Sequence, residues 1–158
     1  MDGRDLEIEF GAQLVPQGFK KKASSWYRQI GGVLQVVNLQ KSSFGEQFYV
    51  NLCFAPITME IEGMPTPKEH KCPVRIRLTA AFPEHKEELD NVFDLESPGM
   101  SESERKIRIA GLVKDQILPY LVFAKDVPSL HLSITEGRFR GGSVNLAVRT
   151  HLGIAEVP

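Results

Sequence analysis

The chain has 158 residues, 42% of them hydrophobic and 25% charged, with a formal net charge of −1. This is ordinary globular composition with enough chain for one hydrophobic core, and it excludes collagen, coiled coil and wholesale disorder. A general nucleic-acid binder is ordinarily basic, so the near-neutral balance argues against that class.

Met1-Asp2-Gly3-Arg4-Asp5 is acidic and lacks the apolar stretch of a signal peptide. No apolar run approaches the roughly 18 residues of a membrane span. The expectation is a cytoplasmic protein, folded as a single domain over residues 1–158, with no membrane partner. Leu6, Ile8 and Phe10 alternate as in a strand, whereas Leu6, Phe10 and Leu14 repeat at helical spacing. The extension to Leu14 and Val15 favours a helix, ended by Pro16 and Gly18. The Lys20-Lys21-Lys22 run leads into the next segment.

Residues 24–55 read as a three-stranded antiparallel meander. Ser24–Ile30 is the first strand, and Gly31-Gly32 suits a tight turn with positive φ. Val33–Lys41 is the second strand, a longer turn runs through Phe44 and Gly45, and Gln47–Ala55 is the third, limited by Pro56. The turns set the register: Ile30 faces Val33, Tyr27 faces Val36, Gln40 faces Tyr49 and Asn38 faces Asn51. One face then carries Trp26, Ile30, Val33, Val37, Leu39, Val50, Leu52 and Phe54. The other carries Tyr27, Gln29, Leu34, Val36, Asn38, Gln40, Tyr49, Asn51 and Cys53. Both hairpins agree on the oily side, which supports the register. Arg28 and Gln35 fall on that side, so they must sit at its rim or form a polar pair.

Residues 57–72 read as a loop, broken by Gly63, Pro65 and Pro67. Val74–Leu78 alternates as a fourth strand, with Arg75 and Arg77 opposite its aliphatics. Residues 83–100 are acidic and read as a loop with a short helical turn. Ser101-x-x-Glu104 is a capping-box signature. It opens a helix over about 102–124 with a stripe of Ile107, Ala110, Lys114, Ile117 and Leu121, widened by Val113 and Leu118. Pro119 should kink or split it. A short helix through Pro128, Leu130 and Ile134 ends at Gly137, and an apolar segment, 144–154, closes the chain. The fold class is α+β: an antiparallel sheet of four or more strands with helices packed on one face.

Gly18-Phe19-Lys20-Lys21-Lys22, Trp26-Tyr27-Arg28, Val36-Val37-Asn38-Leu39-Gln40-Lys41-Ser42 and Phe48-Tyr49-Val50-Asn51-Leu52 together resemble a bacterial family catalogued as domain of unknown function 4304. The resemblance is strongest over about residues 10–55. It implies a bacterial, cytosolic single domain and carries no activity, cofactor or catalytic residue.

The residues themselves hold little catalytic signal. His70, His85, His131 and His151 are scattered, with no GxSxG, P-loop or GxGxxG. His70, Cys72 and His85 fall short of a four-ligand structural zinc site. Cys53 and Cys72 lack CxxC spacing and read as reduced, buried thiols. The acids of 84–105 read as a solvated face, and Gly137–Gly142 as a connecting loop with a weak claim on phosphate or single-stranded nucleic acid. The expectation is therefore no catalytic residue, no metal and no cofactor. The informative feature is the polar sheet face. Asn is depleted in strands, so two cross-strand Asn need a reason. Amides donate and accept without charge, and arginines fork onto carboxylate or phosphate. Tyr27, Asn38, Gln40, Tyr49, Asn51, Arg75 and Arg77 are the candidate ligand-binding residues. The function expected is a non-enzymatic module binding an unknown protein or small-molecule partner. The alternative is an enzyme acting on a phosphorylated or carboxylated small molecule through Arg75, Arg77 and the amides. A third reading of the amides is a structural ladder beneath a loop.

Overall fold

In the computed structural model, which describes residues 1–155, Asp2 starts the first helix. Its carboxylate accepts from the Asp5 backbone N–H, and the Asp5 carboxylate accepts from the Asp2 N–H, each at 2.9 Å. This reciprocal cap satisfies two N–H groups that the helix cannot pair itself. Helix α1, Gly3–Leu14, buries Leu6, Phe10 and Leu14, so the helical pattern governs this segment. Phe10 lies 5.8 Å from both Trp26 and Phe93, which ties α1 to the sheet and to the next helical layer.

The sheet has six strands in the order β1-β2-β3-β4-β5-β6, every pair antiparallel. They are β1 Lys20–Lys22, β2 Ser25–Ile30, β3 Val33–Lys41, β4 Phe48–Pro56, β5 Val74–Arg77 and β6 Ser143–Val144. Gly31 and Gly32 both have positive φ, +56° and +79°, as the two-residue hairpin requires. All the register pairs expected from the turns are present: Ile30 with Val33, Tyr27 with Val36, Gln40 with Tyr49 and Asn38 with Asn51. Strand β1 corrects the reading of the lysine run as a lead-in. A fully exposed edge strand shows no apolar alternation, and lysines along it deter edge-to-edge pairing.

The oily face of the sheet is covered by α1 and by helices α2 Leu78–Ala81, α3 Lys86–Val92, α4 Glu102–Leu112, α5 Leu118–Leu121, α6 Val127–Thr135 and α7 Leu146–Leu152, whose buried side chains join one core with Trp26, Val37, Leu52 and Phe54. Arg28 and Gln35 do form a polar pair there. Both Nε and Nη2 of Arg28 donate to Gln35 Oε1, while Gln35 Nε2 donates to the carbonyls of Leu121 and Ala124. A fully buried amide is thus satisfied at both ends by capping the helix laid over it.

Sequence expectations along the helical layer need correction. The acidic stretch contains a real helix, α3, because Leu89 and Val92 bury one side of it. The stripe on α4 is rotated: Arg105, Ile109 and Leu112 face inward, and Ile107 is 73% exposed. Arg105 faces inward with Ile109 and Leu112, its guanidinium donating to the carbonyls of Asn91 and Val92 in α3 and of Ser97 in the segment after it. Ser101 caps α4 as expected, accepting from Glu104 N–H, but the Glu104 carboxylate bonds Arg108 instead. Helical backbone runs through Pro119, but the run is divided into α4 and α5 just ahead of it. A π-helical turn over Val113–Ile117 precedes it, with Leu118 N–H bonded to the Val113 carbonyl. Proline lacks the N–H for the ordinary bond, and a π turn re-pairs the backbone around that gap.

Candidate functional site

The non-core face of the sheet divides in two. One half carries Tyr27, Leu34, Val36, Cys53 and Ala55, sealed with Cys72 beneath the loop that joins β4 to β5. Ile61 and Met64 of that loop pack on them. The Tyr27 hydroxyl donates to the Pro67 carbonyl at 2.8 Å, and Lys22 Nζ to the Thr66 hydroxyl at 3.0 Å, so the loop is fastened at two adjacent points. Burial pushes the Tyr27 phenol up, and burial together with the adjoining Cys72 thiol pushes Cys53 well up.

The other half is polar. Register places Lys22, Ser25, Asn38, Asn51 and Arg77 side by side across five strands. Asn38 Nδ2 donates to Ser25 Oγ at 2.8 Å, and Asn51 Nδ2 donates to Asn38 Oδ1 at 3.1 Å and to Gln40 Oε1 at 3.0 Å. Arg77 stacks on the Tyr49 ring, 4.2 Å from its centroid, and donates to Gln40 Oε1. Asn51 is 5% exposed, with both amide protons engaged. It is the bracket of the row. Gln40 is exposed at the sheet surface, and its Nε2 donates to nothing in this network.

Between this row and the loop lies a cleft of about 650 Å³, within the size range of small-molecule sites. Ser25, Tyr27, Asn38 and Gln40 form its floor, and the 62–71 segment, with Thr66, Lys68, Glu69 and His70, forms its wall. Of the residues singled out from sequence, Tyr27, Asn38 and Gln40 line the cleft. Tyr49, Asn51 and Arg77 support it from the side. Arg75 stands apart, bonded to Glu69 Oε1 at 2.7 Å, and that carboxylate pushes its guanidinium up. Sequence reasoning missed Ser25, Lys22 and the loop wall. Ser25 was within reach, since the Tyr27–Val36 register also pairs Ser25 with Asn38.

The other chemistries weighed from sequence are dispersed. His70 lies at the cleft, Cys72 is buried against Cys53, and His85 sits 3.8 Å from Glu84 and from Glu88. Among the described residues, no three His, Cys, Asp or Glu side chains gather where they could hold a metal. No helix among them is long and apolar enough to cross a membrane. The Gly137–Gly142 loop is anchored rather than open: Phe139 is buried against Phe54, and Arg138 lies over Phe123. Within the acidic stretch, Lys86 pairs with Asp90, and Arg108 with both Glu88 and Glu104.

An antiparallel six-stranded meander, with helices on one face and a loop-walled polar cleft on the other, defines this as an α+β protein with a small-molecule-sized recess. The chain matches the DUF4304 family, described as a domain of unknown function, over residues 10–122, and it belongs to that family. The matched stretch contains every residue of the cleft. No curated protein and no solved structure matches the chain.

Proposed function

We propose that this single domain is a non-enzymatic binding module whose ligand lies in the cleft over Ser25, Tyr27, Asn38 and Gln40. The observation that carries the reading is the division of labour within the amide row. Asn51 is spent on holding Asn38 and Gln40, while Gln40 keeps its donors and faces solvent beside a cleft of about 650 Å³. Amides held by neighbouring strands bind with little ordering cost. The enzyme alternative loses support because both of its arginines have intramolecular partners, Arg75 on Glu69 and Arg77 on Tyr49 and Gln40. Tyr27, the one cleft phenol, is tied to Pro67.

The test is a small-molecule screen by ligand-observed NMR on the wild type and on Gln40→Ala, which leaves Asn51 its bond to Asn38. Binders should weaken or lose their signal in this variant while its melting temperature stays within a few degrees of wild type. Binders that keep their signal would remove the cleft from consideration.

A further inference from the structure

The cleft has a neighbour. A second cavity of about 350 Å³ lies on the other side of Lys22 and Thr66, and those two residues and Tyr27 line both spaces. The charged side chains around the second cavity are Lys20, Lys21, Lys22 and Arg28, with no carboxylate among them. Two of these cations are engaged elsewhere. Lys21 pairs with Glu7 at 3.2 Å, and Arg28 donates to Gln35 and to the Gln17 carbonyl. Lys20 and Lys22 remain, exposed on β1, with Lys22 bonded to the uncharged Thr66 hydroxyl. Two apart on one strand, they point to the same face, about 7 Å from each other. In the main cleft the two carboxylates are already matched, Glu62 by Lys71 at 3.3 Å and Glu69 by Arg75 at 2.7 Å. The junction between the cavities therefore carries uncompensated positive charge.

The kind of cation matters. Recognition of a planar carboxylate is best made by a guanidinium fork, and the three arginines near this face, Arg28, Arg75 and Arg77, are all bonded within the protein. The available cations are ammonium groups, which bind phosphate as point charges without needing a fork, and two of them together favour the more highly charged group. We propose that the ligand is a phosphate-bearing small molecule, with its phosphate between Lys20 and Lys22 beneath Thr66 and its uncharged body on Asn38 and Gln40. Lys22 exchanges the Thr66 hydroxyl for a phosphate oxygen, and the two cavities then serve one ligand. This inference rests on the binding reading of the cleft.

The experiment titrates inorganic pyrophosphate, and separately citrate, into the full chain by calorimetry at low and high salt, with amide NMR shifts to locate the site. Pyrophosphate should bind more tightly than citrate, weaken as salt screens it, and shift the amides of Lys20, Lys22 and Thr66. Lys20→Gln and Lys22→Gln should each weaken it about tenfold, as loss of a charge-assisted hydrogen bond does. Lys20 is exposed on an edge strand, so its variant reports binding without a folding defect. Failure of pyrophosphate to bind, preference for citrate, or affinity indifferent to both lysines overturns the inference. A neutral ligand seated on Asn38 and Gln40 that ignores both lysines would overturn it too, while leaving the binding reading intact.

Discussion

Asn51 and Gln40 are both amides on one sheet face, yet they do different things because one is buried and the other is not. Asn51 holds two side chains at once and lies opposite Arg77. Asn51→Ala would strip partners from Asn38 and Gln40 in a half-buried row, at a cost of about 1–3 kcal/mol. Gln40→Ala removes one exposed acceptor and leaves Asn51 bonded to Asn38, so it should cost less, about 1 kcal/mol or below. Urea denaturation of the two variants checks this, and equal losses would mean that Asn51 is not the bracket. Gln35 belongs with Asn51: its amide is saturated by Arg28 and two helix-end carbonyls, so it marks a join between layers and offers nothing to a ligand.

Elements meet here through backbone as well as side chains. The β2–β3 turn runs under the start of α6, where Val127 N–H donates to the Gly31 carbonyl at 3.2 Å. A Cβ on Gly31 would stand 2.3 Å from the Lys125 carbonyl oxygen, and the residue's φ is +56°. Gly31→Ala therefore carries both strain and a backbone clash, and should destabilise by well over about 1 kcal/mol. Gly32→Ala meets only the end of the Val127 side chain, at 3.2 Å. Thermal melts of the pair test whether the turn is seated on α6, and a Gly31 variant no worse than the Gly32 one would argue against it. The α4 register illustrates the same dependence. Apolar spacing fits a stripe from Ile107 or one from Ile109, and the packed helix buries Ile109, Leu112 and Val113 together with Arg105, which reaches three carbonyls.

The molecule as a whole carries a large core on one side of its sheet and a small one on the other, and the small one contains the titratable groups Tyr27, Cys53 and Cys72. Burial and the neighbouring Cys72 raise the Cys53 thiol well above its ordinary value of 9.0. The folded chain then keeps a proton that the unfolded chain releases, so unfolding is favoured as pH rises. Stability from this thiol is fully present below about pH 8.5 and is lost progressively above it. Tyr27, raised by burial, and Tyr120, pushed up to about 12, extend the loss upward. Urea midpoints between about pH 7 and 10 should fall at the alkaline end, and Cys53→Ala should flatten the onset. An unchanged slope in that variant would show that Cys53 does not drive it.

The sheet register was legible from sequence because two short turns dictate strand pairing, and a strand's side chains alternate faces without exception over such lengths. That brought Asn38, Gln40 and Asn51 together before any coordinates, and the capping of α4 by Ser101 was equally local. Tertiary structure alone decided what those amides are for. The loop wall meets the sheet through Tyr27–Pro67 and Lys22–Thr66, contacts between segments some forty residues apart that leave no periodicity in either one. Whether a polar strand position is bracket, floor or bystander depends on what lies over it. Local sequence sets which way a side chain points, and only the packing of distant segments sets whether water, protein or an open cleft meets it there.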